Sequence, residues 1–441
     1  MNKTLRFLRS HQSDVSLVMM FAVGVIGLSS QNQLPVMPGA EMWILAKNLA
    51  TRGAFANPFS ALATGPTAVN PPLYPLILAG LMKVFRVPGI IYVASVLCAI
   101  IANAFTAALL PRVSMIFFSD SVPGVFASLL WLGAMQSIPG WDTNLTIAGI
   151  LLFCILTAPE PLAERNAMSR AVLGGAIAGL LFLLNPSSIL IIVPWIGFLL
   201  LKSGPHRSTA IKQAALVLGL LLTFGMGWAI RNYFALGALV TRTNLGVTLY
   251  ASNNDCAQSS LIRDELNNCY QTHHPNASLA EVEELHRLGE IQYDRTRTAD
   301  AEAWVRSHGA RFAHLTLTRI KEFWFPATEN IPATIQFANA FSVPHYSQIW
   351  AHQQNRIARV MWLITALSLP GLILMARRRE AVTLYILAVS AIYPLMYYVV
   401  VSDMRYRYPV LWLSLLPAGY FLREIAEGRI FSFYRSSSPE Q

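Results

Sequence analysis

Long apolar runs separated by brief polar breaks fill most of this chain, and one long stretch interrupts the rhythm. Runs suited to bilayer-crossing helices recur at roughly 14–31, 89–110, 120–138, 143–159, 170–185, 187–202, 213–230, 357–376, 382–401 and 409–422. The pattern predicts an all-α polytopic membrane protein with about ten transmembrane helices, because backbone groups in lipid must be satisfied within the segment. Leu73 to Phe85 is apolar but short and Pro-led, which reads as a re-entrant or interfacial helix. Around Glu41, the residues Met42, Leu45, Leu49 and Ala50 recur at helical spacing. That predicts an amphipathic helix on the membrane surface, ended by Gly53 and followed by turns at Gly65-Pro66 and Pro71-Pro72.

Between about 231 and 356 the apolar residues scatter and the acids and histidines collect. This length suffices for a small domain of its own. Ser278 and Glu281 form a capping-box pattern that opens a helix running toward Arg297. A second helical pattern carries Trp304, Phe312, Leu315 and Ile320 toward Pro326, and short strands are expected around Gly246–Tyr250. The chain therefore divides into an N-terminal membrane part (1–230, with a first outer loop at 32–88), a mostly α extracytoplasmic domain (231–356) and C-terminal membrane helices with a short tail (357–441).

Composition agrees: 54% of residues are hydrophobic, 13% are charged, and mean hydropathy is +0.46. Basic residues set the orientation through the positive-inside rule. Lys3, Arg6 and Arg9, Arg112, Arg165 and Arg170, the run Arg377-Arg378-Arg379, and Arg423 and Arg429 fall on one side when ten spans are drawn with both termini cytoplasmic. The net charge of +10 is then largely a topology signal and calls for no nucleic-acid partner. The first span lacks a small-x-small cleavage pattern and reads as a retained anchor. Nothing matches a phosphate-binding P-loop, a dinucleotide fingerprint, His-Glu-x-x-His or Gly-x-Ser-x-Gly. The spans carry almost no charge at mid-membrane, unlike an ion-coupled transporter, and the polar chemistry gathers at the outer ends.

Four cysteines are present. Cys98 and Cys154 fall inside spans and read as apolar packing residues. Cys256 and Cys269 lie in the outer domain and suit a disulfide; a metal site with His273 or His274 matches no standard zinc spacing. Glu41 is the single acid in about forty residues of the first outer loop, placed to act as a base on a half-lipid substrate; taken by itself it reads first as a solvated loop acid. Asp142, in the short turn after Trp141, faces the same side and suits acceptor binding or helix capping. Trp141 and Tyr74 suit an interfacial belt or a sugar-stacking platform. Asn253, Asn254, His274 and Glu290 are candidates to shape an acceptor pocket.

Five stretches in order complete the picture: AEMWILAKNLATRGAFANPF, TGPTAVNPPLYPLILAGLMKVF, GLLFLLNPSSILIIVPW, WAIRNYFALGALVTRTNLGVTLYASNN and RYRYPV. With them the chain resembles polytopic glycosyltransferases of the GT-C superfamily, near glycosyltransferase family 39 and the relatives of protein mannosyltransferases and aminoarabinose transferases. The resemblance implies transfer of a sugar from a polyprenyl-phosphate donor to a lipid, glycan or protein acceptor, with inversion. It places the work at the outer face of a bacterial cytoplasmic membrane, without a nucleotide or redox cofactor; some members of the superfamily use a divalent metal, but one acid in this loop is a poor hard-ion cage, so no metal is expected. It also implies a first-loop carboxylate as catalytic base, commonly in an Asp-Glu pair; here the pair reads Ala40-Glu41, which leaves Glu41. Asn70 stands where the aminoarabinose branch carries a Lys for the donor phosphate, so that phosphate falls to Arg405 and Arg407, with Lys83 as a further cation. Asn70, Tyr74, Asp142 and His274 are then the expected substrate-binding residues. The same spans and basic, aromatic rim also suit a flippase of lipid-linked saccharide, or a polymerase or ligase of surface polysaccharide.

Overall fold

The computed structural model describes residues 8, 10, 12–29, 41–135, 142–158, 167–329 and 344–429. Position 40, Trp141 and the basic residues Lys3, Arg6, Arg9 and Arg165 lie outside them. Among the described residues the chain is helical and forms no strand.

Helix α1 (Gln12–Ser29) precedes two loop helices, α2 (Glu41–Arg52) and α3 (Leu73–Phe85). A run of apolar helices follows: α4 (Pro88–Phe118), α5 (Val122–Ala134), α6 (Thr143–Thr157), α7 (Ala167–Leu184), α8 (Ile189–Lys202) and α9 (Arg207–Leu236). Among the described residues, four helical segments are long and apolar enough to cross a membrane: Pro88–Phe118, Ala167–Leu184, Gly204–Leu236 and Gln354–Arg377. Helix α9 shows why a bilayer is needed. Leu222, Met226, Ile230 and Phe234, four residues apart, leave an apolar stripe exposed along one side.

Helices α2 and α3 pack on each other through Met42, Trp43, Ala46, Tyr74 and Leu78. The amphipathic spacing read around Glu41 is thus spent on a helical hairpin, and Gly53, at φ +66°, takes the left-handed turn that ends α2.

Six helices form a cap: α10 (Leu245–Ser252), α11 (Leu261–Leu266), α12 (Cys269–His273), α13 (Leu279–Leu288), α14 (Glu290–Ser307) and α15 (Gly309–Trp324). The Ser278 side chain accepts from the Glu281 backbone N–H, so the N-cap half of the box forms, but the reciprocal half does not: the Ser278 N–H donates to the His274 carbonyl, and Glu281 accepts from Tyr293 and Arg297. Three sequence expectations fail in this part. The stretch expected as strands is helix α10, and Gly246 explains it: a Cβ there would sit 1.9 Å from the Asp294 carbonyl oxygen, so helix α14 packs directly on helical backbone. The helix expected to run through to Arg297 breaks at Gly289, whose φ of +75° no helix accommodates. The next pattern likewise breaks at His308.

The cap is tied to the first loop by buried polar contacts. Glu290 accepts from the Ala68 N–H at 2.6 Å and from the Thr243 hydroxyl, and Arg231 donates to the carbonyls of Thr67 (2.8 Å) and Phe55 (2.9 Å). Phe59, Val69, Val247, Val282, Leu285 and Tyr293 close an apolar seam beside them. Glu290 is accordingly a tie between loop and cap. Asn253 and Asn254 also serve the backbone: Asn253 bonds Leu249, Val399 and Arg319, and Asn254 accepts from the N–H groups of Cys256 and Ala257.

After α16 (Pro344–Arg377) and α17 (Val382–Ile392) comes the short α18 (Leu395–Tyr398), where Pro394 divides the run expected at 382–401. Helix α19 (Tyr408–Ala426) then passes through the middle of the bundle, buried along Leu411, Trp412, Leu415, Leu416 and Tyr420 and packed on α5, α6 and α16. Small residues permit this. A Cβ on Gly419 would lie 2.0 Å from the Pro123 carbonyl oxygen, and one on Gly371 2.0 Å from that of Pro417. At the C-terminal end of α19, Arg423 pairs with Asp120 (3.1 Å) and Glu424 (2.8 Å), and Arg378 pairs with Glu424. The cap sits at the other end.

Candidate functional site

Where the cap meets the membrane helices, a cavity of about 640 Å³ opens. Its walls come from the start of α2, the Asn70-Pro71 turn, the start of α6, the Asn185-Pro186 turn, the Arg242–Thr248 segment, α11, α12 and the 393–406 stretch. Most are element termini or turns, where side chains and free backbone groups project without a helical partner. Glu41, Asn70, Asp142, His274 and Arg405 all line it.

Glu41 is the first residue of α2, where the positive end of the helix dipole suits a carboxylate. Buried Asn70 donates from Nδ2 to Glu41 Oε2 at 2.8 Å. The residue standing in place of a cation therefore orients the acid. Asp142 precedes α6, and its side chain takes hydrogen bonds from Thr146 at 3.5 Å and from Asn185. Burial raises its pKa, and its own backbone, Arg242, Arg405 and Asn185 pull the other way.

His274 stacks on Tyr270, with centroids 4.6 Å apart and planes 15° from parallel. Its Nδ1 accepts from the Asn276 backbone N–H at 3.1 Å, which puts the imidazole proton on Nε2. Burial lowers its pKa, Glu41 raises it and Arg405 lowers it, so the ring is neutral at physiological pH. Arg405 lies 3.1 Å from Asp403 Oδ2 and over the Tyr406 ring at 5.2 Å. Asp403 also accepts from the Arg405 backbone N–H, closing the turn that carries the guanidinium.

Arg242 was not singled out by the sequence reading. It is the only charged residue between Arg231 and Asp255, which is the signal that marks it. Its Nε donates to the Val69 carbonyl at 2.9 Å, and its exposed surface faces the cavity. Removal from bulk water lowers its pKa, while Tyr397, Glu41, Asp142 and Tyr406 raise it. Glu41, Asp142, Arg242, Arg405 and His274 therefore form one electrostatic group.

Three expected residues lie elsewhere. Tyr74 is buried in the α2–α3 hairpin, where it faces Met42 and Trp43. Lys83 is exposed in the last turn of α3 and does not line the cavity. Arg407, 1% exposed, donates to the Trp324 carbonyl (2.7 Å) and to Ser414 (3.3 Å), below the Trp324 ring. It faces the core because successive residues of the Met404–Arg407 turn point to different sides.

Among the described residues the one convergent trio of potential metal ligands is Cys256, Cys269 and His273, and its two sulfurs are joined in a disulfide with Cα atoms 5.5 Å apart. That bond anchors α12, which carries Tyr270 and leads into His274. Replacing both cysteines by serine is expected to cost about 3 kcal/mol by loop entropy. The loss reads as a lowered midpoint in denaturant, and wild-type stability in the double variant would contradict it.

No protein-family model matches the chain, and no curated sequence does. Solved structures do. The archaeal oligosaccharyltransferase AglB from Archaeoglobus fulgidus, in complex with an inhibitory peptide and a dolichol-phosphate, superposes with a TM-score of 0.52 at 11% identity. That match covers 97% of this chain and 52% of AglB. The same enzyme in its apo form gives 0.53, at 11% identity and the same coverage. ArnT from Cupriavidus metallidurans bound to undecaprenyl phosphate gives 0.38 at 14% identity, over 96% of this chain and 81% of ArnT. The chain thus spans about half the length of AglB. The likeness shows that the chain shares its fold with AglB.

Proposed function

We propose that the chain is a membrane glycosyltransferase that moves a sugar from a polyprenyl-phosphate donor to an acceptor at the outer membrane face, with inversion. One observation carries the reading: a single cavity gathers an oriented carboxylate, Glu41, with two arginines, Arg242 and Arg405. AglB, whose fold the chain shares, was solved with a dolichol-phosphate, and this supports a lipid-phosphate ligand here.

In this reading Glu41 takes the proton of an acceptor hydroxyl or amine as general base. The freed electron pair attacks the anomeric carbon, and the bond from that carbon to the phosphate oxygen breaks. The phosphate leaves with those electrons, and Arg405 and Arg242 neutralise it through charge-assisted hydrogen bonds. Asn70 holds Glu41 in place, and Asp142 and His274 border the acceptor. Arg407 and Lys83 drop out of the donor set because of where they lie, and Tyr74 serves packing. Ten membrane spans with both termini cytoplasmic and the cap outside, in a bacterial cytoplasmic membrane, complete the proposal. Cysteine-accessibility labelling that put residues 41 and 300 on opposite sides would overturn that topology.

The function is tested by extracting polyprenyl-linked sugars and glycans from cells with and without the gene and comparing them by mass spectrometry. A gene-dependent glycan with its donor accumulating in the deletion is expected; identical profiles would sink the proposal. Arg405→Ala is expected to weaken binding of undecaprenyl phosphate to purified protein by about 10- to 100-fold, the worth of a charged hydrogen bond. Equal loss in Arg407→Ala with its folding intact would show that the wrong arginine had been assigned.

A further inference from the structure

Seven carboxyl groups line the cavity, and six are held by the protein. Asn70 holds Glu41, Thr146 and Asn185 hold Asp142, and the Gln258 N–H holds Asp264 at 2.6 Å. Arg405 holds Asp403, and Arg263 holds both Glu322 (2.9 Å) and Glu329 (2.7 Å). The seventh is Glu265, on α11. Among the described residues its carboxyl group makes neither a hydrogen bond nor an ion pair, although Glu265 lines the cavity and is only partly exposed. A fold that gives its six neighbours protein partners and leaves this one open toward the cavity leaves its hydrogen-bonding capacity to a ligand.

We propose that Glu265 recognises a neutral saccharide in the cavity through hydrogen bonds between its carboxyl group and a sugar hydroxyl, an assignment that rests on the glycosyltransferase reading above. The surroundings favour a neutral partner over a cation. Burial pushes the Glu265 carboxyl up to about 8; Asp403 and its neighbour Asp264 push it the same way, and Arg405 opposes them. Tyr270 faces it from α12, its own phenol raised in part by the Glu265 charge. At neutral pH the group therefore keeps its proton, and a carboxylic acid both donates and accepts, as a hydroxyl does. Above that pH the donor is lost and a charge is stranded among acids. The saccharide is either the transferred sugar or the acceptor, and both present the same hydroxyl chemistry.

The test uses the full chain in lipid nanodiscs. Saturation-transfer NMR measures binding of glucose, mannose, galactose, N-acetylglucosamine and arabinose at about pH 7 and about pH 9.5, on either side of the carboxyl's titration. Undecaprenyl phosphate binding is measured on the same samples. Wild-type protein is expected to bind at least one saccharide at the lower pH and to weaken about tenfold at the higher. Glu265→Gln, which donates and accepts at any pH, is expected to bind equally at both. Glu265→Leu is expected to lose binding at both while melting at the wild-type temperature. Saccharide binding by Glu265→Leu at wild-type strength, no binding by wild type, or a pH loss that persists in Glu265→Gln would each overturn the inference. Repeating the measurement with undecaprenyl phosphate already bound separates the sources: a transferred sugar competes for space beside the phosphate, and an acceptor does not. If undecaprenyl phosphate binds through Arg405 and no saccharide binds, the inference fails and the enzyme reading stands. If Glu265-dependent saccharide binding occurs and the lipid phosphate does not bind, the lipid-donor reading fails instead.

Discussion

Glu41→Gln protein is expected to lose most sugar transfer, by about 10² to 10⁴-fold, while folding and binding donor as before. The size is that of removing a positioned general base. The amide is isosteric with the carboxylate, so α2 keeps its start and Asn70 Nδ2 keeps an oxygen to donate to. What the amide cannot do is take a proton. The readout is the gene-dependent glycan formed by membranes that carry the variant, with undecaprenyl phosphate binding and melting temperature as controls for folding. Transfer at the wild-type rate would remove Glu41 as the base and pass the role to Asp142, the other acid of the same electrostatic group.

Arg319→Ala is expected to cost about 3–5 kcal/mol of stability, because it leaves several buried acceptors without their donor, each at about 1–3 kcal/mol. Arg319, on α15, is 0% exposed. It donates to the carbonyls of Ser252, Gln258 (3.3 Å) and Val399 (3.2 Å) and to Asn253 Oδ1 (3.1 Å). Burial lowers its pKa to about 10, with Asp264 and Glu322 raising it, so it is charged at neutral pH. One guanidinium fork thus satisfies the end of α10, the loop after it and the turn that leads to Arg405. Arg319→Met tests the cause: it restores volume without donors and is expected to fare little better than alanine, whereas lysine recovers part of the loss. Full recovery in Arg319→Met, followed by thermal melting, would mean packing alone was at stake. A loosened roof would also weaken undecaprenyl phosphate binding, because Val399 and Ser402 meet the cap just before the Met404–Arg407 turn.

Local signals carried well where one interaction decides the conformation. The Ser278 N-cap, the stop at Gly53 and the apolar helices follow from side-chain spacing and from φ preferences that distant residues seldom overrule. Gly246 shows the opposite case. Its neighbourhood reads as strand until the Asp294 backbone is seen pressed on it, a contact between residues 48 apart that no local pattern contains.

The site divides along the same line. The sequence by itself determined that polar chemistry sits at helix ends, since mid-span charge is costly, and it named Glu41, Asp142, His274 and Arg405 among the candidates. Only the tertiary structure decided which of them meet. Arg405 and Arg407 are two residues apart and alike in sequence, yet one lines the cavity and the other is buried under Trp324, because a tight turn sends them to different sides. Arg242 and Glu265, both passed over, are brought to Glu41's cavity by loops whose paths are set by buried ties to the first loop and to residue 402. Those ties join segments far apart along the chain, so the rule that assembles the site is long-range packing, which the order of residues does not display.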